Sequence, residues 1–155
     1  MFRYVALALA LFVLGCATHY IPNTDVEDTS ENRKVISFCE KYRRAVEERN
    51  VPLLLDMASA AYYEDGGNVD ASDDMDYDGL RDYLEGRFKD TRAIRYEIRY
   101  RKIHGAENGR VLVEYTYTAS YKIPGLSGDE WRHTVAENRL ELVPDKDSFK
   151  ILAGM

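Results

Sequence analysis

Three consecutive segments in the second half of the chain alternate apolar and polar residues with a period of two. Residues 94–100 alternate isoleucine and tyrosine with arginine and glutamate, and residues 111–121 and 134–142 continue the pattern. Because successive side chains of a β-strand point to opposite faces, each segment predicts a strand with one apolar, tyrosine-rich face and one charged face. Turn-forming residues separate these segments from each other and from a last strand at 149–153; the turns lie at 104–109, 124–129 and 144–147. The sequence therefore predicts an antiparallel sheet whose apolar face must be covered.

The first half of the chain has the helical periodicity that can supply this cover. Apolar residues recur at spacings of three and four between Val35 and Val46, with charged residues on the other face. Asp28 and Glu31 have the spacing of a capping box, and Ser30 is a competing cap. A first helix is therefore expected to begin near residue 30.

Two further helices are expected before the sheet. Pro52 suits the first turn of a short second helix, and a short extended stretch follows at 60–64. A third helix is predicted from about Gly79 to Lys89, with Asp78 as its cap. The predicted fold class is α+β, with three N-terminal helices packed on a curved antiparallel sheet.

The first sixteen residues have the pattern of a secretory signal. Arg3 supplies a positive charge, and an apolar run follows from residue 5 to 14. At about 1.5 Å per residue, this run reaches only about half of a hydrocarbon core roughly 30 Å thick. The run ends in Val13-Leu14-Gly15-Cys16, which resembles the bacterial lipobox, with Val13 in place of the typical leucine. The resemblance implies that residues 1–15 are removed and that Cys16 is acylated.

Acylation predicts a cell-envelope protein that is anchored to the membrane by the lipid on Cys16. Two or more acyl chains anchor a protein stably, whereas one does so only marginally. The residue after the cysteine is Ala17 and not aspartate. This resembles the lipoproteins that Gram-negative bacteria send to the outer membrane. It predicts that the protein is located at the periplasmic face of that membrane. Residues 16–29 lack periodicity and are expected to form a lipidated tether, with 30–155 as the domain. An ordinary cleaved signal with a coincidental cysteine is the alternative.

Charge and cysteine content exclude several classes of function. The chain has 21 basic and 27 acidic residues, and no basic cluster is evident in the sequence, which argues against nucleic acid and anionic lipid headgroups as partners. If Cys16 is acylated, Cys39 has no partner and is expected to be a small buried hydrophobic residue, with a reactive thiol as the alternative. The histidines at 19, 104 and 133 lack the spacing of a zinc site. The sequence indicates no cofactor.

The order of the predicted elements is distinctive. Two helices precede a short strand that ends in Tyr62-Tyr63-Glu64-Asp65, and a third helix contains Leu80-Arg81-Asp82-Tyr83-Leu84. Three long strands and the terminal strand at 149–155 follow. This order resembles the nuclear transport factor 2-like superfamily, which includes ketosteroid isomerase, scytalone dehydratase and the SnoaL-like cyclases. It resembles more narrowly the exported lipoproteins with this fold, over roughly residues 30–155.

The resemblance implies a conical cavity between helices and sheet, and dimers formed through the outer face of the sheet. Tyrosines on the predicted inner face would suit a small apolar or aromatic ligand, since each ring carries one polar hydroxyl. The alternative is that the rings simply fill the core. The predicted cavity residues are Tyr96, Tyr100, Tyr115, Tyr117 and Asn138.

Enzymes of the superfamily place a carboxylate or histidine inside the cavity. Here the predicted inner strand positions offer neither, and Asp56, Glu64 and Asp65 are the acids expected near its mouth. Acid–base catalysis needs a base within hydrogen-bond reach of its proton. We therefore predict a non-catalytic domain that binds a small ligand or an envelope protein. An envelope isomerase or hydrolase-type enzyme, using one of these carboxylates and a cavity tyrosine, is the alternative.

An acidic segment matches the spacing of an EF-hand calcium loop. Its residues are Asp74, Asp76, Asp78, Gly79, Asp82 and Glu85. Arg81 occupies a position that is normally aliphatic, and no helix is predicted directly before the segment. The competing interpretation is that acids gathered near a helix N-terminus favour its positive dipole end without any metal. We therefore predict no metal site.

Overall fold

The alternating segments form the four-stranded antiparallel sheet that the sequence predicts. A computed structural model describes residues 18–66 and 72–155, so Cys16 and the predicted signal peptide lie outside the described residues. The helices are α1 (Ser30–Glu47), α2 (Val51–Met57) and α3 (Tyr77–Lys89). The strands are β1 (Tyr63–Glu64), β2 (Met75–Asp76), β3 (Ala93–Gly105), β4 (Val111–Gly125), β5 (Gly128–Asp145) and β6 (Ser148–Ala153).

The sheet order is β3-β4-β5-β6, and a separate small hairpin pairs β1 with β2. The register places Tyr115 of β4 between Tyr100 of β3 and Asn138 of β5. The predicted inner residues of three strands therefore lie side by side on the face that the helices cover. The predicted fold class, three helices on an antiparallel sheet, is confirmed.

The core forms where the apolar side of α1 meets this face. Val35, Cys39, Tyr42 and Ala45 recur at helical spacing and are all buried, as are Val113, Leu140 and Leu142 of the sheet. Burial of each large apolar side chain contributes roughly 1.5–3 kcal/mol. Among the residues that the structure describes, no helix is long and apolar enough to cross a membrane.

Two helix caps differ from the predicted ones. Thr29 caps α1 by accepting a hydrogen bond from the amide of Asn32 at 3.1 Å, whereas Asp28 forms an ion pair with Arg33. Three consecutive residues have capping side chains, and the main chain of Asp28 is already bound to the carbonyl of His19. The local pattern alone therefore misassigned the cap to Asp28.

The cap of α3 is Asp76 and not Asp78. The carboxylate of Asp76 accepts from the amide of Gly79 at 2.9 Å, and the helix begins at Tyr77. Strand β2 ends at Asp76, which pairs with Tyr63. The hairpin therefore fixes the start of the helix two residues earlier than predicted.

Residues 19–28 are folded against the end of β3. Tyr20 bridges Glu27, and the amide of Asp25 donates to the carbonyl of Tyr100 at 3.0 Å. Val26 is buried in the core, and Asp25 forms ion pairs with the arginines at 99 and 101. This part of the predicted tether is therefore packed against the sheet.

Candidate binding site

The tyrosines predicted to line a cavity are packed against one another. Tyr96, Tyr100 and Tyr115 are 5%, 2% and 1% exposed. The ring centroids of Tyr96 and Tyr117 are 5.4 Å apart, and those of Tyr115 and Tyr117 are 6.3 Å apart. Tyr42, which the sequence analysis assigned only to the helix core, packs edge-on against Tyr96 at 6.4 Å. The rings occupy the space beneath the helices.

The hydroxyl groups of this cluster differ in their partners. The hydroxyl of Tyr100 donates to Glu40 at 2.9 Å, and Arg43 donates to the same carboxylate at 2.8 Å. The hydroxyl of Tyr115 is buried without a partner in hydrogen-bond geometry among the described residues, although Tyr42 and Tyr96 are its polar neighbours. Burial raises the pKa of Tyr96 to about 12 and raises that of Tyr100 further above its ordinary value.

Asn138 holds the C-terminus. Its amide nitrogen donates to the carbonyl of Gly154 at 3.1 Å. The amide of Gly154 donates to Glu64 at 2.6 Å, and that of Met155 donates to the hydroxyl of Tyr62 at 3.3 Å. Asn138 and Glu64 therefore fix the last residues of the chain to the hairpin and sheet.

Of the carboxylates considered for catalysis, Glu64 accepts from the amide of Gly154, and the other two are exposed. The side chain of Asp56 is 73% exposed, and its carboxylate lies 3.7 Å from the amine of Lys150. Asp65 is exposed at the hairpin. A carboxylate that accepts a hydrogen bond from a core tyrosine is Glu40 of α1, bound by Tyr100. The sequence analysis missed it because it lies on the charged side of a helix.

The acidic segment does not have the backbone of an EF-hand loop. Asp78, Gly79, Asp82 and Glu85 lie within α3, so their backbone is helical and cannot wrap around an ion as an EF-hand loop does. Asp76 is engaged in the helix cap. Over residues 18–66 and 72–155 the structure contains no group of acids, histidines or cysteines placed to hold a metal.

A groove between α1 and the β5–β6 turn, here called the α1 groove, has a volume of about 680 Å³. Its floor is apolar and contains Phe38, Ala45, Leu53 and Phe149, and the two phenylalanine rings are in edge-to-face contact at 5.7 Å. A second cavity of about 310 Å³ lies beside α2 and Lys150. The larger volume is within the range of small-molecule sites.

The rim of the larger groove is predominantly basic. Arg33, Lys34, Lys41 and Arg44 line it from α1, against two acids, Glu48 and Asp147. Arg33 is paired with Asp28, whereas Lys41 and Arg44 form no ion pair with any described residue. Spacings of seven and three place Lys34, Lys41 and Arg44 on one side of the helix. This spacing is present in the sequence, so the expectation that the chain has no basic cluster was wrong. The opposite wall contains Phe149, which follows Arg44 by about a hundred residues in the sequence, so no local pattern could predict it.

No protein-family model and no curated protein matches the sequence. Solved structures share the fold. A Novosphingobium aromaticivorans protein provisionally assigned as a scytalone dehydratase is 12% identical, with a TM-score of 0.63 and coverage of 80% of both chains. A Streptomyces avermitilis protein provisionally assigned as a dehydratase of the nuclear transport factor 2-like family is 11% identical, with a TM-score of 0.61 and coverage of 79% of this chain and 92% of that one.

A third neighbour is described by a different role. A Xanthomonas campestris protein provisionally assigned as a calcium/calmodulin-dependent protein kinase II association domain is 13% identical, with a TM-score of 0.64 and coverage of 88% of this chain and 90% of that one. The chain therefore has the nuclear transport factor 2-like fold that its element order resembles. Identities this low show the fold alone, and the same fold carries unrelated functions.

Proposed function

We propose that this chain is a lipid-anchored protein of the bacterial cell envelope whose domain binds an anionic amphiphile in the α1 groove without catalysing a reaction. The observation that carries the proposal is the combination of an apolar floor and a basic rim in one groove of about 680 Å³. An acyl chain on the floor would bury apolar surface, and a carboxylate or phosphate head would meet the cations on the rim.

The charge balance of the chain supports this ligand class. The whole chain has a net charge of −6, yet Lys34, Lys41 and Arg44 border one apolar floor. Residues 34 to 48 extend for about 20 Å along the helix at about 1.5 Å per residue. An elongated ligand with its head near Lys41 and Arg44 therefore matches the shape and charge of the groove.

Binding of dodecanoate, measured by isothermal titration calorimetry on purified residues 17–155, tests this proposal. The double variant K41Q/R44Q should bind about 5- to 30-fold more weakly, because two exposed charge contacts contribute about 0.5–1 kcal/mol each. The matched control K89Q/K102Q loses two exposed lysines outside the groove and should bind normally. Wild-type protein that does not bind dodecanoate, or that binds uncharged dodecanol equally well, would refute the proposed ligand class.

The anchor is tested separately. The Val13-Leu14-Gly15-Cys16 segment supports acylation of Cys16 and residence at the periplasmic face of the outer membrane. In cells fed labelled palmitate, the full-length chain should incorporate label and sediment with outer membranes, whereas Cys16→Ser should do neither. Unlabelled wild-type protein in the soluble periplasmic fraction would support the ordinary cleaved signal instead.

A dehydratase or isomerase is the second candidate. Two neighbours are provisionally assigned as dehydratases, and Glu40 lies 2.9 Å from the hydroxyl of Tyr100. Tyr100 is 2% exposed, so a substrate would have to separate packed rings to reach this pair. Turnover of a β-hydroxy ketone that disappears in Glu40→Gln and persists in K41Q/R44Q would favour this candidate over the binding protein.

A further inference from the structure

The two edges of the four-stranded sheet differ in whether their backbone groups have hydrogen-bond partners. On the β3 edge, the amide of Tyr96 donates to Glu47 at 3.0 Å, and Arg43 donates to the carbonyl of Tyr96 at 3.1 Å. The amide of Asp25 donates to the carbonyl of Tyr100. Side chains of α1 and the N-terminal segment therefore occupy backbone groups that would otherwise accept another strand.

The β5 edge has no such cover along its first half. Strand β6 pairs with β5 between Glu141 and Asp145, and Asn138 contacts Gly154. No described residue pairs with 128–137 on this side, and residues 128–135 are exposed on both faces. An open edge of this length is a template for pairing with another chain. Val135, at 68% exposure, lies in its middle.

The open edge is complementary to itself in one antiparallel register. A twofold axis perpendicular to the sheet keeps the outer faces of the two copies on the same side. Directly opposite residues must then point to the same face, so an odd-numbered residue lies opposite an odd-numbered one and an even-numbered residue opposite an even-numbered one. An axis at Val135 places Val135 opposite Val135 and His133 opposite Glu137 twice. On the inner face it places Thr134 opposite Ala136. Cross-strand pairs of this kind stabilise antiparallel sheets.

Neighbouring registers are less favourable. An axis at residue 133 places Asp129 opposite Glu137, which are like charges, and an axis at 134 places the Val135 side chain opposite His133. The Nδ1 of His133 lies 2.8 Å from the hydroxyl of Ser120 on its own β4, and its Nε2 forms no hydrogen bond with any described residue. Its Nε2 is therefore available to the Glu137 carboxylate of a second copy.

We infer that β5 of one chain pairs antiparallel with β5 of a second copy over residues 133–137, which joins the two sheets edge to edge. The occupant of the edge is thus a second copy of this chain. The paired segment of each copy is about 17 Å long at 3.4 Å per residue. This dimer differs from the face-to-face dimer that the fold resemblance implies, in which the outer surfaces of the two sheets would stack.

Disulfide trapping in the full-length, membrane-bound chain tests the inference. Val135→Cys should give a covalent dimer after mild oxidation, because directly opposite Cβ atoms lie about 4.5–5.5 Å apart. The matched control is Thr118→Cys, which is the register partner of Val135 on β4, is also exposed, and lies one strand away from the edge. It should remain monomeric. The native Cys39 is buried and should not contribute.

Charge exchange tests the register. In the Val135→Cys background, Glu137→Lys should lower the dimer yield several-fold, and H133E/E137K should restore it by re-forming the pair across the two chains. Cross-linking of Thr118→Cys, with or without Val135→Cys, would mean that the sheets stack face to face and would overturn the inference. So would the absence of dimer in both variants. A yield that Glu137→Lys leaves unchanged would overturn the proposed register.

Discussion

Removal of one hydroxyl group should have opposite effects at two neighbouring tyrosines of the core. Tyr100 and Tyr115 pair across β3 and β4 and are 2% and 1% exposed. Replacing either with phenylalanine deletes the same atom from an equally buried ring, so the apolar and packing contributions nearly cancel in the comparison. The difference between the variants therefore reports the hydrogen bonding of the two hydroxyls.

Tyr100→Phe should destabilise the domain. The hydroxyl donates to the carboxylate of Glu40 at 2.9 Å, and a hydrogen bond to a charged group contributes about 1.5–3 kcal/mol. Because the Glu40 side chain is 32% exposed, water can partly replace the lost donor. We therefore expect a loss near the lower limit, about 1.5 kcal/mol.

Tyr115→Phe should be neutral or stabilising by up to about 1 kcal/mol. Its hydroxyl is buried and has no described partner in hydrogen-bond geometry, although the hydroxyls of Tyr42 and Tyr96 lie near it. An unpaired buried polar group costs about 1–3 kcal/mol. Removing the oxygen relieves that cost and leaves only a very small gap. The two variants should thus differ by about 2 kcal/mol, or about 6–8 °C in Tm for a domain of this size.

Urea unfolding of residues 17–155 measures both values. Circular dichroism and Trp131 fluorescence should give coincident transitions if unfolding is two-state. Tyr20→Phe, at a residue that is 57% exposed, controls for the substitution itself and should change stability by less than about 0.5 kcal/mol. If Tyr115→Phe destabilises the domain as much as Tyr100→Phe does, the hydroxyl of Tyr115 has a partner, and the reasoning from an unpaired group fails.

Three further predictions follow from burial and capping. Burial raises the pKa of the Cys39 thiol, so a thiol reagent should label it only after urea unfolds the domain, and rapid labelling of native protein would restore the reactive-thiol alternative. Asp76→Ala should lower the free energy of unfolding by about 1 kcal/mol, because the α3 cap is lost. The Asp78 side chain is 82% exposed, so Asp78→Ala should lower it by only a few tenths of a kcal/mol. Equal urea midpoints for the two variants would refute the assigned cap. Burial raises the pKa of Tyr62 and Tyr96 to about 12, while the unfolded value is about 10, so the folded state binds more protons between these pH values. The raised pKa of the Cys39 thiol acts in the same direction, so stability should begin to fall above about pH 8.5, where that thiol ionises in the unfolded state. Above about pH 10 it should fall further, by about 1.4 kcal/mol per pH unit for each tyrosine. A urea midpoint that does not change from about pH 8 to 11.5 would contradict this.

Much of the fold was predictable because the sheet is encoded locally. The alternation from Ile94 to Leu142 determines which side chains share a face, and the turns determine antiparallel order. Helix starts were less predictable, because Asp28 and Asp78 satisfy the same local rules as the caps that form. The helix starts are determined by two contacts outside the helices. The amide of Asp28 donates to the carbonyl of His19, and Tyr63 pairs with Asp76.

The α1 groove was predictable on one wall only. The spacing of Lys34, Lys41 and Arg44 is local to α1, but Phe149 reaches the same groove from the last strand. Alternation also could not distinguish tyrosines that line a cavity from tyrosines that fill it, because both arrangements place the same rings on the same face. The distances between the rings resolve that question, and they depend on how closely α1 approaches the sheet.

The choice of tyrosine for the inner face has a consequence for where chemistry can occur. A tyrosine ring fills apolar space, but its hydroxyl needs a polar partner once it is buried. At Tyr100 that partner is Glu40, which is itself bound by Arg43 and therefore accepts hydrogen bonds as a paired anion. A substrate that reached this carboxylate would therefore have to displace Tyr100 or Arg43. The two surfaces proposed to meet another molecule, the α1 groove and the β5 edge, lie outside the core. These two surfaces share no residue, so loss of binding in K41Q/R44Q should leave the Val135→Cys dimer intact.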